Sequence, residues 1–354
     1  MDLAAANAEA GDSIYYAQGF RIETHADYTL VQIKNPWNKQ KILQTYTLVP
    51  KSKKLPDTLP EGVLLRTPLE KTVAFSSVVC GMLNELQVLP ALAGIAEPEY
   101  VPIPEIQERC AGGTLQNIGR ASQPNIEKLM LIEPDALFTN PVNEEGAGAL
   151  GKLAVSTIPC LEWQETHPLG QAEWIRLIGL FFNKKALADS LFFVTVQSYN
   201  EWKDRMDIVA YRPTVFMEKK YGDFWYMPGG KSYFAYMLED AGANYVFKDN
   251  TSTGSVPFAF ETILDRAGKA DFWLFKYYDK QDASYLQLEK EFSNYALFDA
   301  YKKHKVYGCN TMKNAYYIEI PLHPDWLLKD LIFIFHPEAL PEYSPKYYHS
   351  LLFR

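Results

Sequence analysis

From Asn183 to Met206 the chain reads NKKALADSLFFVTVQSYNEWKDRM, and no turn signal interrupts it. Leu187, Leu191, Val194, Trp202 and Met206 recur on related faces at helical spacing, and Asn183 is placed to cap the first turn. The segment therefore predicts one long helix. On either side of it, short apolar runs alternate with amphipathic ones, the pattern of strands and helices that builds a parallel sheet. One rigid helix between two such runs narrows the choice of architecture. The expected fold is α/β, with two Rossmann-like lobes joined by a single long helix.

The alternation can be followed run by run. KTVAFSS is a short buried strand, VVCGMLNELQV a helix, LAGIA a strand, NIEKLMLIE a helix and DALFTN a strand, and LAVSTIPCLEW holds another strand. LGQAEWIRLIGLFF is a helix leading to the long one. Beyond it RPTVFMEK is a strand, GGKSYFAYMLEDAGA a helix, NYVF a strand, PFAFETILDRAG a helix and ADFWLFKYY a strand. QLEKEFSNYALFDAYKKHK then reads as a helix, KVYGCN as a strand, and PDWLLKDLIFIFHPEAL as a helix up to its proline. Upstream, FRIETHADYTLVQI and QKILQTYTLV alternate in the manner of strands about an NPWNK turn, and a Lys- and Pro-rich connector follows. The resulting division is a disordered start over 1–14, an N-terminal β extension with its connector over 15–66, an N-terminal lobe over 67–182, a spanning helix over 183–207 and a C-terminal lobe over 208–354.

One phrase occurs twice. QPNIEKLMLIEPDALFTN, at 123–140, carries Glu127 in the first helical turn, then Asp135 and an apolar strand. VPFAFETILDRAGKADFWLF, at 256–275, carries Glu261 in the first turn, a stop at Gly268, Asp271 and an apolar strand. A glutamate there is already favoured by the helix dipole and by capping. Its repetition in both halves asks for a further reason.

Composition excludes several classes. A net charge of -8 with interspersed signs argues against nucleic-acid binding. Cys80, Cys110, Cys160 and Cys309 form no CxxC pair, and the six histidines show no HxxxH or HExxH spacing. PGGKS lacks the earlier glycine of a phosphate loop, because that position is Trp225. No GxSxG and no Ser/His/Asp grouping is present, so the chain is expected not to be an enzyme. No apolar stretch reaches a membrane span, and MDLAAANAEAGDS has neither the cationic nor the apolar region of a signal peptide.

Over residues 71–345 the chain resembles the substrate-binding proteins of ABC importers, in the helical-backbone class that carries ferric siderophores, haem and cobalamin. AFSS, LAGIA, IGRASQPNIEKLMLIEPDALF, the long helix, WYMPGGKSYFAYMLEDAGANYVF, TGSVPFAFETILDRAGKADFWLF and PDWLLKDLIFIFHPE carry the likeness. Residues 15–66 lie outside the family's usual pattern. The resemblance implies an extracytoplasmic protein, in the periplasm or on the outer face of the inner membrane, with or without a lipid anchor. It implies a monomer with no resident cofactor, which hands an iron chelate, a corrinoid or haem to a permease dimer and its ATPase subunits. It also answers the repeat: Glu127 and Glu261 fall where the family's glutamates dock onto permease arginines.

By the same likeness, the ligand is expected between the lobes at the carboxyl ends of the strands. The loops there offer Ser76, Ser77, Tyr100, Arg120 and Trp163 from the first half, and Trp225, Tyr226, Lys231, Tyr277 and Tyr278 from the second. In the hydroxamate-siderophore binders an arginine in the phrase matching Arg120 contacts the iron-chelating oxygens, a task suited to a guanidinium fork. Cobalamin binders commonly carry a tryptophan near that place, and this chain does not. Tyr277 and Tyr278 are adjacent on a strand end, so only one can face a ligand. His167 reads as a loop histidine rather than a metal ligand. A ferric siderophore or related iron complex is the leading expectation, with cobalamin or haem as the alternative.

Overall fold

The computed structural model describes residues 12–144, 150–151 and 153–353; residues 1–11, where disorder was expected, lie outside them. Order begins sooner than expected. The Thr24 hydroxyl donates to Asp12 at 2.7 Å, and Arg176 donates to the Ser13 carbonyl at 2.7 Å. The chain divides into two compact units. The first holds the residues through Glu165, Leu169–Thr195 and Tyr317–Leu322, and the second holds Thr166–Pro168, Val196–Tyr316 and the residues from His323 on.

The first unit opens with a four-stranded sheet: β1 (Phe20–Thr24), β2 (Thr29–Lys34), β3 (Ile42–Pro50) and β4 (Val63–Thr67). β1 to β3 form an antiparallel meander, and β4 returns parallel to β3. The Lys- and Pro-rich connector is therefore a crossover within this sheet, and β4 was missed because VLLRT lacks alternation. Phe20, Ile22, Val31 and Ile33 share the buried face.

The main sheet of the first unit contains β5 (Thr72–Ala74), β6 (Leu92–Ile95), β7 (Gln116–Asn117), β10 (Ala136–Thr139) and β11 (Ser156–Pro159). Its order is β11-β10-β5-β6-β7, all parallel. A two-residue hairpin, β8 (Gly119–Arg120) with β9 (Gln123–Pro124), follows β7. The helices are α1 (Ser77–Glu85), α2 (Pro104–Ala111), α3 (Ile126–Ile132) and α4 (Pro168–Phe181). Asn125 caps α3 by accepting the Lys128 amide at 2.9 Å, and α3 ends where Glu133 turns left-handed ahead of Pro134. Val73, Ile118, Leu129, Ile132 and Leu137 pack together between α3 and the sheet. Tyr46 of β3 donates its hydroxyl to the Thr157 carbonyl of edge strand β11, so the N-terminal sheet shields an edge that would otherwise invite pairing.

The long helix α5 spans Lys185–Asp207; it begins in the first unit and ends in the second. Its buried stripe is Ala188, Phe192, Thr195, Tyr199 and Met206. Val194, expected on that face, is exposed, because the polar-looking Thr195 and Tyr199 pack inward. Asn183 closes α4 rather than capping α5. Its φ is +55°, and the Lys184 amide bonds back to the Gly179 carbonyl at 2.8 Å.

The second unit is built on β12 (Thr214–Met217), β15 (Asn244–Tyr245), β17 (Phe272–Tyr277), β18 (Val306–Asn310) and β19 (Tyr348–Ser350), in the order β15-β12-β17-β18-β19. All pairs are parallel except β18 with β19. A small antiparallel sheet, β13 (Lys220–Tyr221), β14 (Phe224–Pro228) and β16 (Ser255–Phe258), follows β12. The helices are α6 (Tyr233–Asp240), α7 (Phe260–Ala267), α8 (Tyr285–Glu291), α9 (Asp299–Lys302), α10 (Tyr316–Glu319) and α11 (Pro324–Phe335). The single helix expected over 287–305 is instead α8, a 3-10 turn at Ser293–Leu297 and α9. Ser293 and Asn294 favour a break there. Both units thus share one strand order, β6-β5-β10-β11 against β15-β12-β17-β18.

Candidate functional site

In a doubly wound sheet the ligand end is the carboxyl end of the strands, at the point where the connections change direction. In the first unit that point lies between β5 and β10. Ser76 follows β5; it is buried, and its hydroxyl accepts the Val78 amide at 3.2 Å as the cap of α1, whose first residue is the half-buried Ser77. Tyr100 is exposed at the end of a 3-10 turn after β6. Glu97, left-handed at φ +50°, donates its amide to the Gly119 carbonyl at 3.0 Å and ties β6 to the β8–β9 hairpin.

Arg120 stands on that hairpin. It is exposed, and its guanidinium forms no ion pair or hydrogen bond with the described residues. Trp163 is exposed on the turn after β11. Beside it, Glu162 is buried, and its Oε2 lacks a hydrogen-bond partner among the described residues. Burial pushes its carboxyl up to about 7. Glu165, also in this loop, faces inward: it accepts the amides of Gln18 and Gly19 at 2.9 and 2.8 Å and the Trp174 indole at 3.1 Å.

The second unit sorts its candidates more sharply. Trp225 is 0% exposed, its indole N–H donates to the Met217 carbonyl at 2.9 Å, and Phe216, Trp273, Tyr295 and Phe298 surround it. It is a core residue and leaves the ligand set. The period of two along β14 places Phe224 and Tyr226 on the exposed face and Trp225 and Met227 inside. Lys231 is exposed, with no side-chain partner among the described residues. Tyr277 is half-buried, packs against Gly308 and accepts the Ala283 amide at 2.9 Å, whereas Tyr278 is exposed. The outward-facing member of that pair is Tyr278. His167 is half-buried near Tyr236; burial lowers its pKa, with Asp240 opposing and Lys203 adding to that shift. Among the described residues no group of His, Cys, Asp and Glu is arranged to hold a metal.

The phosphate-loop look-alike is a packing device. A Cβ on Gly229 would lie 2.1 Å from the Ser252 carbonyl, and one on Gly230 would lie 2.3 Å from the Lys248 carbonyl, so only glycine lets these segments meet. Ser232 then caps α6 by accepting the Ala235 amide at 3.3 Å.

Glu127 and Glu261 are each the second residue of their helix, α3 and α7, and both are exposed. The two helices hold equivalent places in the two units: each feeds the strand, β10 or β17, that pairs with its unit's first parallel strand.

Two charged residues at the second switch point were not anticipated. Glu218 directly follows β12 with φ +63°, and Lys276 lies near the end of β17. The signal was present as a lysine interrupting the apolar run FWLFKYY.

The sequence model of the periplasmic binding protein family matches residues 78–311. An uncharacterized lipoprotein of Methanocaldococcus jannaschii is 27% identical over 293 residues, covering 78% of this chain and 67% of its own length. A second uncharacterized lipoprotein of that organism is 23% identical over 350 residues, covering 96% and 86%. Among solved structures, a possible iron-binding periplasmic solute-binding protein of Staphylococcus epidermidis superposes with a TM-score of 0.61 at 17% identity, covering 76% of this chain and all of that one. The molybdate periplasmic binding protein of Haemophilus influenzae gives 0.60 at 17% identity, covering 80% and 91%. A periplasmic heme-binding protein of Pseudomonas aeruginosa gives 0.60 at 15% identity, covering 81% and 99%. At these identities the likeness is one of fold.

Proposed function

The chain belongs to the periplasmic binding protein family, substrate-binding proteins rather than enzymes, and from that premise we propose that it captures a ferric siderophore or related iron complex and delivers it to an ABC importer. The proposed setting is extracytoplasmic, in keeping with the lipoprotein relatives. No described helix is long and apolar enough to cross a membrane. A permease dimer with its ATPase subunits is the proposed partner, and no covalent step on the cargo is required.

Arg120 carries the ligand reading. It is an exposed guanidinium with no partner among the described residues, held on a two-residue hairpin at a strand end. A planar fork of donors fits the anionic oxygens of a chelate. A tetrapyrrole is the second reading, favoured by the exposed aromatic face of Phe224 and Tyr226.

Tryptophan quenching by ferric siderophores, haemin and cobalamin tests both. Arg120→Ala is expected to weaken binding of an anionic ferric chelate by about 1.5–3 kcal/mol. Unchanged binding, or selectivity for cobalamin, would reject the siderophore reading.

A further inference from the structure

The second unit's switch point lies between β12 and β17, its central parallel pair. Glu218 and Lys276 occupy it as an ion pair, with side chains 22% and 16% exposed. By strand register the first unit's counterparts are Phe75, whose amide donates to the Phe138 carbonyl as that of Glu218 does to Leu274, and Asn140, two residues beyond Phe138; both are uncharged. The charge at this register is a feature of the second unit.

The pair is held from several sides. The Glu218 amide donates to the Leu274 carbonyl at 2.7 Å, and the Glu218 carbonyl accepts the Trp273 indole at 2.7 Å. Lys276 places its ammonium 4.3 Å from the centre of the Phe234 ring on α6, a favourable seat for a cation. The left-handed backbone at Glu218 is uncommon for a residue with a side chain, and such backbone clusters at functional positions.

We infer that this pair is a specificity element of the ligand site, selecting cargo that presents a carboxylate or another oxyanion group. Lys276 is the ligand's electrostatic partner. Glu218 holds that ammonium in place while the site is empty, and competes with the incoming anion for it. The inference rests on the carrier reading above and narrows it: a neutral or cationic complex gains nothing from Lys276. The two residues therefore act with opposite sign, which a merely structural ion pair would not do.

The test uses the full chain and four probes: ferric citrate and haemin, which carry carboxylates, the neutral cyanocobalamin and the cationic ferrioxamine B. Lys276→Gln is expected to weaken the carboxylate-bearing probe that binds by tenfold or more. Glu218→Gln is expected to strengthen the same probe several-fold, and Lys276→Arg to retain it. Thermal melts of the same variants read the structural role, since loss of either partner lowers stability whether or not a ligand is recognised. Equal binding by wild type and Lys276→Gln overturns the inference, as does weakening by both single variants. Binding of cyanocobalamin or ferrioxamine B alone also overturns it and leaves the carrier reading standing. Failure of all four probes to bind rejects the carrier reading itself.

Discussion

Asp271 joins the heads of two parallel strands: its Oδ2 accepts the backbone amide of Thr214 at 2.9 Å and the Thr214 hydroxyl at 2.7 Å. The first unit repeats the arrangement. Asp135 Oδ2 accepts the amides of Glu70 and Lys71 at 2.7 and 3.0 Å, just ahead of β5. In both units the aspartate follows the helix that began with the glutamate, and it pins the strand after that helix to the unit's first parallel strand. The phrase recurs because the same junction is built twice.

Asp271→Asn is therefore expected to destabilise the protein at neutral pH by about 1–2 kcal/mol, since charge-assisted hydrogen bonds are lost. Burial raises the Asp271 pKa, but the bonds from Thr214 and Tyr211 outweigh it, and the net shift is downward. A carboxyl with a depressed folded pKa contributes stability that is complete above its unfolded value and lost as pH falls through the folded one. The gap between wild type and variant should close in acid, below the ordinary aspartate range. Urea unfolding at pH 7 and pH 3 measures it, and a gap that persists undiminished in acid would count against this account.

Glu162 behaves in the opposite sense. Its carboxyl is buried and raised to about 7, so between about pH 4.5 and pH 7 it is mostly neutral in the folded protein where it would be mostly ionised in the unfolded chain. Stability from this group is greatest below its unfolded pKa and declines as pH rises from about 4.5 to about 7. Glu162→Gln keeps a neutral group of similar shape. It is expected to gain about 2–3 kcal/mol on wild type at pH 8 and little at pH 4. Denaturant midpoints at the two pH values decide it; a pH-independent difference would mean that Glu162 is not the titrating group.

The strap ahead of β1 hangs on buried charge. Glu173 accepts the amides of Tyr15, Tyr16 and Ala17 at 2.9, 2.8 and 2.8 Å, and Arg176 joins it at 2.8 Å while also holding Asp189 of α5 at 2.6 Å. Removing one partner leaves the others desolvated and unpaired. Glu173→Ala is expected to cost about 3–5 kcal/mol and to open residues 13–19 to protease. An unchanged melting temperature with intact protection would show that the strap is held without Glu173, by Glu165 on the Gln18 and Gly19 amides, Arg176 on the Ser13 carbonyl and the rings of Tyr15 and Tyr16 against Phe193 and Phe192.

The α/β class was legible because both units alternate the 3.6 and 2.0 periods cleanly, and the parallel strands 72–74, 136–139 and 272–277 are short apolar runs. What escaped was tertiary. Trp225 and Tyr226 look alike in sequence, and only the pleat of β14 sends one inward. β4 pairs with β3 across a long crossover, which no local pattern announces. Glu165 lies in the loop after β11 on the ligand side, yet the N-terminal segment, distant in sequence, folds over and takes its oxygens. Lys276 was hidden for the reverse reason: a lysine in an apolar strand reads as an interruption until Glu218 is found beside it.

We propose that Glu127 and Glu261 serve delivery rather than capture. Each is exposed in the first turn of its helix, where the dipole favours a negative charge. Neither forms an ion pair among the described residues. Beside Glu127, on the outward side of α3, Leu131 is 83% exposed and Met130 64%, apolar surface of the kind that marks a protein contact. Permease arginines meeting both glutamates would steer and register the complex. Changing both glutamates to Ala should leave ligand quenching nearly unchanged and reduce uptake in reconstituted membranes. Changing both to Lys should reduce uptake further, because the contact becomes repulsive. Single changes should do less than the double, since the other unit's glutamate still anchors, and Leu131→Ser should weaken uptake without touching capture. Quenching and uptake are read on the same variants. Intact uptake with both charges reversed would mean that the glutamates serve only as helix starts, and that the repeated phrase reflects nothing beyond the shared strand junction.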